Sequence, residues 1–167
     1  MTARQTSSSG SGFGDAVSLS LAALDRFPTS LLALLFRLGA AGVFFKSGLT
    51  KVTGFPPTLT PSTLFLFENE FQVPLLPPDL AALLATGFEL ACPVLLVLGL
   101  ATRLAALPLL GMTAVIELFV YPLACADHLQ WTALLLYILV RGPGRLSLDA
   151  LIAPSLFKRF GIQRRRY

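Results

Sequence analysis

Apolar residues in this chain come in four long stretches, separated by short breaks rich in proline, glycine and charge. The stretches cover about residues 29–50, 79–100, 102–121 and 124–140. Each is close to the ~20 residues that an α-helix needs to cross a ~30 Å hydrocarbon layer. The fourth is the shortest and reaches that length only if Asp127 and His128 lie inside its first turns. The pattern predicts an all-α protein built as a four-helix transmembrane bundle.

Composition supports a membrane protein over a soluble one. Of the 167 residues, 54% are hydrophobic and 13% are charged, whereas soluble domains average about 25% charged residues. The net charge is +4, and the basic residues concentrate near the C-terminus, in Lys158-Arg159 and Arg164–Arg166. A basic tail after membrane spans is typical of the cytoplasmic side. The expected partner is therefore the lipid bilayer, and nucleic acid is not expected.

The sequence divides into three parts. Residues 1–28 are predicted to be a flexible N-terminal tail with a short interfacial helix ending near Pro28. Residues 29–141 form the four-helix transmembrane domain. Residues 142–167 form a basic cytoplasmic tail, in which LSLDALIAPSLFKRF mixes apolar and basic residues as an amphipathic interfacial helix does.

The distribution of charge gives an orientation. If all four stretches cross, then Arg4, Arg26, Arg103 and the C-terminal basic group fall on one side. The positive-inside rule then places both termini in the cytoplasm. The largest outer loop, residues 52–78, contains STLFLFENEF, which predicts a short helix on the outer surface.

Two opposite charges are predicted to meet inside the bilayer. Arg37 lies on a face of small residues in the first stretch, and Glu89 lies near the middle of the second. At 1.5 Å per residue the two reach similar depths. Because a lone charge at the helix centre costs roughly 2.5 to 3.5 kcal/mol, we expect an Arg37–Glu89 pair. This pair is either a functional site for a proton or a quinone head group, or a structural clamp between helices.

Four further polar residues are predicted to line a vestibule that is open to the outer side: Lys51, Glu117, Tyr121 and His128. Lys51 shares the Arg37 stripe and serves either to neutralise an entering anion or to anchor the helix at the interface. Glu117 and His128 either relay protons or bind a metal, or they make a helix-end hydrogen bond facing water.

Cofactor chemistry within the chain is restricted. There is one histidine, two cysteines and no CxxC motif, so we expect no intrinsic haem or iron–sulfur cluster, and a three-histidine zinc site is impossible. Cys92 is either a redox thiol or a small buried core residue. Cys92 and Cys125 lie at different depths, so a disulfide between them is not expected.

These residues resemble a known family. Arg37, Phe44, Gly48 and Lys51 are similar to the first-helix signature of DoxX-family membrane proteins, and GFELACPVLLVLGLATRLAAL resembles that family's second helix and following turn. RGPGRLSLD resembles its closing segment, so the likeness covers roughly residues 30–150. VPLLPP and FVYP resemble a branch encoded beside peptide-modifying iron enzymes linked to metal stress.

The resemblance implies a multi-pass protein of the bacterial inner membrane with ties to redox work. Named relatives include a subunit of a thiosulfate:quinone oxidoreductase and a partner of superoxide dismutase. Our first hypothesis is a membrane component of a redox or stress-response system, linked to quinone or to metal homeostasis and acting with protein partners. The alternatives are a non-catalytic membrane anchor or assembly factor, and a small-solute transporter that would need to form a homo-oligomer. Whether the chain is itself an enzyme stays open.

Overall fold

A computed structural model describes residues 12–153 of the chain. The helices in chain order are α1 (Gly12–Asp25), α2 (Thr29–Thr50), α3 (Pro61–Leu66), α4 (Pro78–Leu98), α5 (Thr102–Val115), α6 (Cys125–Arg141) and α7 (residues 148–153). Two π-helical turns, Phe67–Phe71 and Ile116–Val120, continue α3 and α5. A small antiparallel hairpin pairs β1 (Val52–Thr53) with β2 (Thr58–Leu59).

The expected four-helix bundle is confirmed. α2 packs against α4 and α6, and α5 packs against the same two helices. Within residues 12–153, three helical spans are long and apolar enough to cross a membrane, with mean hydropathies of 1.5, 2.1 and 1.7: Thr29–Thr50, Pro78–Leu98 and Thr102–Val120. α6 has 17 residues and contains Asp127 and His128, as the sequence predicts for the shortest span.

The interior of the bundle and its outer surface differ in side-chain size. Small residues of α2, α4 and α5 are buried and let the helices approach closely: Ala33, Ala40, Ala41, Ala82, Ala105 and Ala106. Large apolar residues such as Leu104 and Leu118 are about two-thirds exposed. A surface of this kind suits contact with acyl chains and would promote aggregation in water.

The end of the bundle where α2 begins and α4 ends is here called the Arg37 end. Arg37 joins the elements that meet there. This side chain is 1% exposed. Its guanidinium donates four hydrogen bonds of 2.8 to 2.9 Å to the backbone carbonyls of Leu96, Val97, Pro143 and Leu146. Arg37 therefore joins α2 to the end of α4 and to the segment after α6.

The expected Arg37–Glu89 pair is wrong, and side-chain direction explains why. Side chains on a helix lean toward its N-terminus. Because α2 and α4 are antiparallel, Arg37 leans toward the end of α4 while Glu89 leans the opposite way. Arg37 is satisfied by carbonyl groups, and Glu89 has a different cationic partner.

The turn between α4 and α5 belongs to the same cluster. Gly99 ends α4 with a φ of +69°, and a β-carbon there would lie 2.5 Å from the β-carbon of Ser147, so this contact requires glycine. Asp149 caps α5 by accepting bonds from the backbone N–H groups of Ala101 and Thr102 and from the Thr102 hydroxyl.

The opposite end, here called the Lys51 end, is covered by residues 52–77. α3 begins at Pro61 after the N-cap Thr60, whose hydroxyl oxygen accepts a hydrogen bond from the backbone N–H of Thr63. The short helix predicted within STLFLFENEF is therefore confirmed, and its second half is the π-helical turn Phe67–Phe71. The hairpin and the two π-helical turns were not predicted from the hydrophobic periodicity.

The terminal parts are only partly described. α1 begins at Gly12, so residues 12–15, which the sequence assigns to the tail, are helical. The interfacial position of α1 stays a prediction. α7 lies within the expected amphipathic C-terminal helix. Residues 1–11 and 154–167, which include the rest of the predicted tails and the basic clusters, lie outside the described residues.

Candidate functional site

Glu89 pairs with Lys51 at the Lys51 end of the bundle. The Lys51 ammonium nitrogen Nζ lies 2.6 Å from Glu89 Oε2, and the two side chains are 16% and 5% exposed. The Lys51 ammonium also donates to Ser47 Oγ at 2.9 Å, and the Ser47 hydroxyl donates to Glu89 Oε1 at 3.1 Å. These three residues form a closed polar triangle between α2 and α4.

Close packing at Gly48 makes the triangle feasible. A β-carbon at Gly48 would lie 2.9 Å from the β-carbon of Glu89 and from Leu90 Cδ2. Glycine thus lets α4 approach α2 one turn before Lys51. Lys51 follows the last residue of α2 and leans back toward the membrane interior, where it reaches Glu89.

A second polar pair joins the end of α5 to the start of α6. His128 Nδ1 and Glu117 Oε2 are in hydrogen-bond contact at 2.5 Å. His128 is buried, at 4% exposure, whereas the Glu117 side chain is 30% exposed. A hydrogen bond between Glu117 and His128 was one of the alternatives that the sequence left open; it is present, and it links a buried imidazole to a partly exposed carboxylate.

Tyr121 contacts the segment that covers the Lys51 end. Its hydroxyl donates to Glu70 Oε1 at 2.5 Å, and its ring packs edge-on against Phe71 with centroids 5.9 Å apart. The hydrogen bond to Glu70, together with partial burial and the nearby negative charge, raises the pKa of the Tyr121 phenol. The two π-helical turns therefore meet at this contact.

A cavity of about 390 Å³ lies between these groups. Its polar lining comes from five residues: Ser47, Lys51, Glu89, Tyr121 and His128. Most of the remaining wall is apolar and includes Phe44, Phe67, Phe71, Phe88, Met112 and Trp131. Ligand sites in proteins are typically of this kind, with apolar walls and a few polar groups that fix orientation.

Aromatic side chains form one wall of the cavity. Phe44 is 2% exposed and packs edge-on against Trp131, with centroids 5.9 Å apart. The Trp131 ring lies 5.1 Å from the His128 ring. Phe44 of the first-helix pattern therefore contributes to the cavity, whereas Arg37 of the same pattern belongs to the clamp at the opposite end.

Three of the four residues expected in an outer vestibule line this cavity, namely Lys51, Tyr121 and His128. Glu117 reaches it through His128. The structure adds two further lining residues, Ser47 and Glu89. Glu89 had been expected to pair with Arg37. Ser47 lies four residues before Lys51 on the same helix face, a spacing that was visible in the sequence. Glu70 lies 51 residues before Tyr121, and nothing local indicates their contact.

The site has few groups that bind transition metals. Within residues 12–153, no three histidine, cysteine or acidic side chains come together as a metal site. Cys92 is buried in the bundle core and Cys125 is exposed at the start of α6, and both thiols are free. The chemistry open to the cavity residues is hydrogen bonding, charge compensation and proton transfer.

Comparison with known proteins identifies the family. The DoxX family model matches residues 32–122, which run from the first turn of α2 through the covering segment and α4 to the end of α5. A protein from Haemophilus influenzae, described as an uncharacterized protein, is 35% identical over 136 residues, covering 74% of this chain and 83% of its own. No solved structure shows a significant match. The resemblance drawn from Arg37, Phe44, Gly48 and Lys51 is thus confirmed, and this chain is a multi-pass membrane protein that belongs to the DoxX family.

Proposed function

We propose that this protein is the membrane component of a redox system and binds a quinone-class molecule in the cavity at the Lys51 end. The observation that carries the proposal is the cavity itself, with apolar and aromatic walls, and with the Lys51–Glu89 ion pair and the Glu117–His128 hydrogen bond at its polar side. A quinone has a flat ring, two carbonyl acceptors and an apolar tail. Its ring matches the Phe44 and Trp131 wall, and its carbonyls match donors on Lys51 and His128.

The Glu117–His128 pair suits proton exchange with such a head group. When the Glu117 carboxylate accepts the Nδ1–H bond, a neutral His128 imidazole keeps Nε2 as an acceptor and a protonated one presents it as a donor. A hydroquinone hydroxyl that loses its proton therefore has a base within the cavity lining, and Glu117 leads from it toward the exposed surface. Lys51 and Glu89 would bind and orient the opposite side of the ring.

Electrons would pass to or from a separate protein. The sequence holds one histidine and two cysteines, and in our proposal a partner supplies the electron-carrying cofactor. Whether quinone turnover serves a stress response or metal homeostasis depends on that partner.

The Arg37 end is proposed to face the cytoplasm. Arg26, Arg103, Arg141 and Arg145 all lie near that end, whereas Glu68, Glu70, Asp79 and Asp127 lie near the other. Under the positive-inside rule this distribution supports an orientation with both termini in the cytoplasm of a bacterial inner membrane and the cavity near the outer face.

The single tryptophan offers a direct binding test, because Trp131 lines the cavity. Titrating the purified protein with a short-chain benzoquinone is expected to quench Trp131 fluorescence to saturation. Since hydrogen bonds to charged groups contribute about 1.5 to 3 kcal/mol, Lys51→Met and His128→Asn should each raise Kd about tenfold or more. Lys46→Met is the matched control, because Lys46 is exposed on the same helix and does not line the cavity. Linear, unsaturable quenching that is equal in all variants would contradict the proposal.

A second candidate, a membrane anchor or assembly factor, is favoured by one observation. All four hydrogen bonds of Arg37 go to backbone carbonyls within the chain, so this part of the family signature serves the fold. In that case filling the cavity would leave partner activity per assembled complex unchanged, and only the abundance of the complex would respond to mutation.

A further inference from the structure

Part of the cavity wall also belongs to the outer surface of the bundle. On α4 the apolar part of the wall is formed by one helix stripe, Ala81, Leu84, Ala85 and Phe88. Within this stripe Leu84 is 41% exposed and Phe88 is 40% exposed. Side chains that line a cavity while remaining this exposed mark the place where the cavity meets its surroundings.

The facing wall on α5 has the same character. Pro108, Met112, Val115 and Ile116 line the cavity, and each is only partly buried. Next to them Gly111 is exposed, and a β-carbon built there would have nothing within 4 Å. Gly111 therefore leaves open space beside this wall.

Both walls lie deep in the hydrocarbon layer. Phe88 precedes the last residue of α4 by ten residues, and Met112 follows the first residue of α5 by ten. At 1.5 Å per residue each lies ~15 Å from the short turn that joins these helices. This is about half the thickness of a ~30 Å hydrocarbon core, so exposed side chains there face acyl chains.

Access from the aqueous side is more obstructed. Phe67, Phe71 and Val73 of the covering segment line the cavity at the Lys51 end. The Tyr121–Glu70 hydrogen bond fastens that segment to the end of the α5 span. A ligand from water would have to displace these contacts.

We infer that the cavity opens sideways into the bilayer through a portal between α4 and α5, flanked by Phe88 and Met112. Its ligand is then an amphiphile dissolved in the membrane, with its polar head between Lys51–Glu89 and His128 and its alkyl tail in the portal. The quinone identity of that amphiphile rests on the proposed function. The lateral opening rests on the geometry of α4 and α5.

The portal can be tested without any quinone. The protein is placed in nanodiscs that contain phosphatidylcholine brominated in the middle of its acyl chains, and quenching of Trp131 fluorescence is measured. Gly111→Leu is expected to lose most of the quenching, because the new side chain narrows the portal where open space is available. Phe88→Ala widens the portal and should increase the quenching.

Gly42→Leu is the matched control. Gly42 is exposed on α2, a β-carbon there also has nothing within 4 Å, and Gly42 does not line the cavity. Equal quenching in the wild type, Gly111→Leu, Phe88→Ala and Gly42→Leu would overturn the portal. Bromolipid quenching that depends on Gly111 but no saturable binding of benzoquinone would retain the portal and reject the quinone. Saturable benzoquinone binding, together with bromolipid quenching that does not depend on Gly111, would retain the quinone and reject the portal.

Discussion

Lys51 Nζ lies 2.6 Å from Glu89 Oε2, across the contact between α2 and α4. Both residues line the polar side of the cavity, and Ser47 bonds to both partners. It therefore has two consequences: it neutralises a carboxylate that is 5% exposed, and it sets the electrostatic character of the proposed head-group site.

Removing one partner of this pair is expected to destabilise the protein more than removing both. Lys51→Met leaves the Glu89 carboxylate buried without compensation, and breaking a buried pair from one side costs roughly 3 kcal/mol. The double variant Lys51→Met/Glu89→Gln removes that uncompensated charge and should recover much of the loss. The measurement is the free energy of unfolding, obtained by SDS titration in mixed micelles. It is made on the wild type, on the single variants Lys51→Met and Glu89→Gln, and on the double variant.

The comparison is controlled by Lys46→Met, which removes an exposed lysine from the same helix and should change the free energy of unfolding little. Strictly additive losses in the double variant would show that the two charges do not interact, contrary to the structure.

Arg37 should not be replaceable by lysine. Its three guanidinium nitrogens reach four carbonyl oxygens, and a single ammonium group cannot match that fork geometry. Arg37→Lys is therefore expected to lower the thermal midpoint in detergent strongly. Arg103→Lys is the control, because Arg103 is exposed and makes one bond of 3.2 Å to the carbonyl of Val140. Equal, small shifts for both variants would contradict the clamp.

The Tyr121–Glu70 contact predicts a dependence on alkaline pH. Because the folded-state pKa of the Tyr121 phenol is raised, its contribution to stability is fully present below the ordinary tyrosine value of about 10 and is lost as pH rises through the raised value. Ultraviolet titration of phenolate, taken as the difference from Tyr121→Phe, isolates this group. Glu70→Gln should lower the Tyr121 pKa, and an unchanged titration would show that the contact is not formed.

Labelling of the native cysteines tests orientation. Cys125 is exposed at the start of α6, at the Lys51 end, and Cys92 is buried. In intact spheroplasts a membrane-impermeant maleimide is expected to label wild-type protein, and Cys125→Ser should abolish the signal. Cys92→Ser serves as the control and should label normally. Labelling of Cys125 only after lysis would place the Lys51 end in the cytoplasm.

Much of the bundle could be predicted from the sequence because the bilayer imposes a simple length and polarity rule. The stretches 29–50 and 79–100 closely match α2 and α4, and small residues marked the faces that became buried. Lys51, Tyr121 and His128 were placed at one end of the bundle by counting residues, and they line the same cavity.

The hydrogen-bond and ion-pair partners of Arg37 and Glu89 could not be predicted by counting residues along the helices. Residue counting gives the depth of a Cα atom, whereas Arg37 and Glu89 have side chains that lean in opposite directions from similar depths. The carbonyls that bind Arg37 become available because α4 ends at Gly99 and because the segment after α6 folds back against it. The π-helical turns and the Tyr121–Glu70 contact depend likewise on tertiary packing, which has no local sequence signal.

The central claim is that the cavity at the Lys51 end holds a membrane quinone. Its most direct test is the extraction and mass spectrometry of lipids that copurify with the protein from its own membrane, compared with Ala85→Phe, which fills the cavity, and with Ala91→Phe, which adds the same side chain on the exposed face of α4. We expect near-stoichiometric quinone with the wild type and Ala91→Phe, and little with Ala85→Phe. Equal trace amounts in all three preparations would contradict the account.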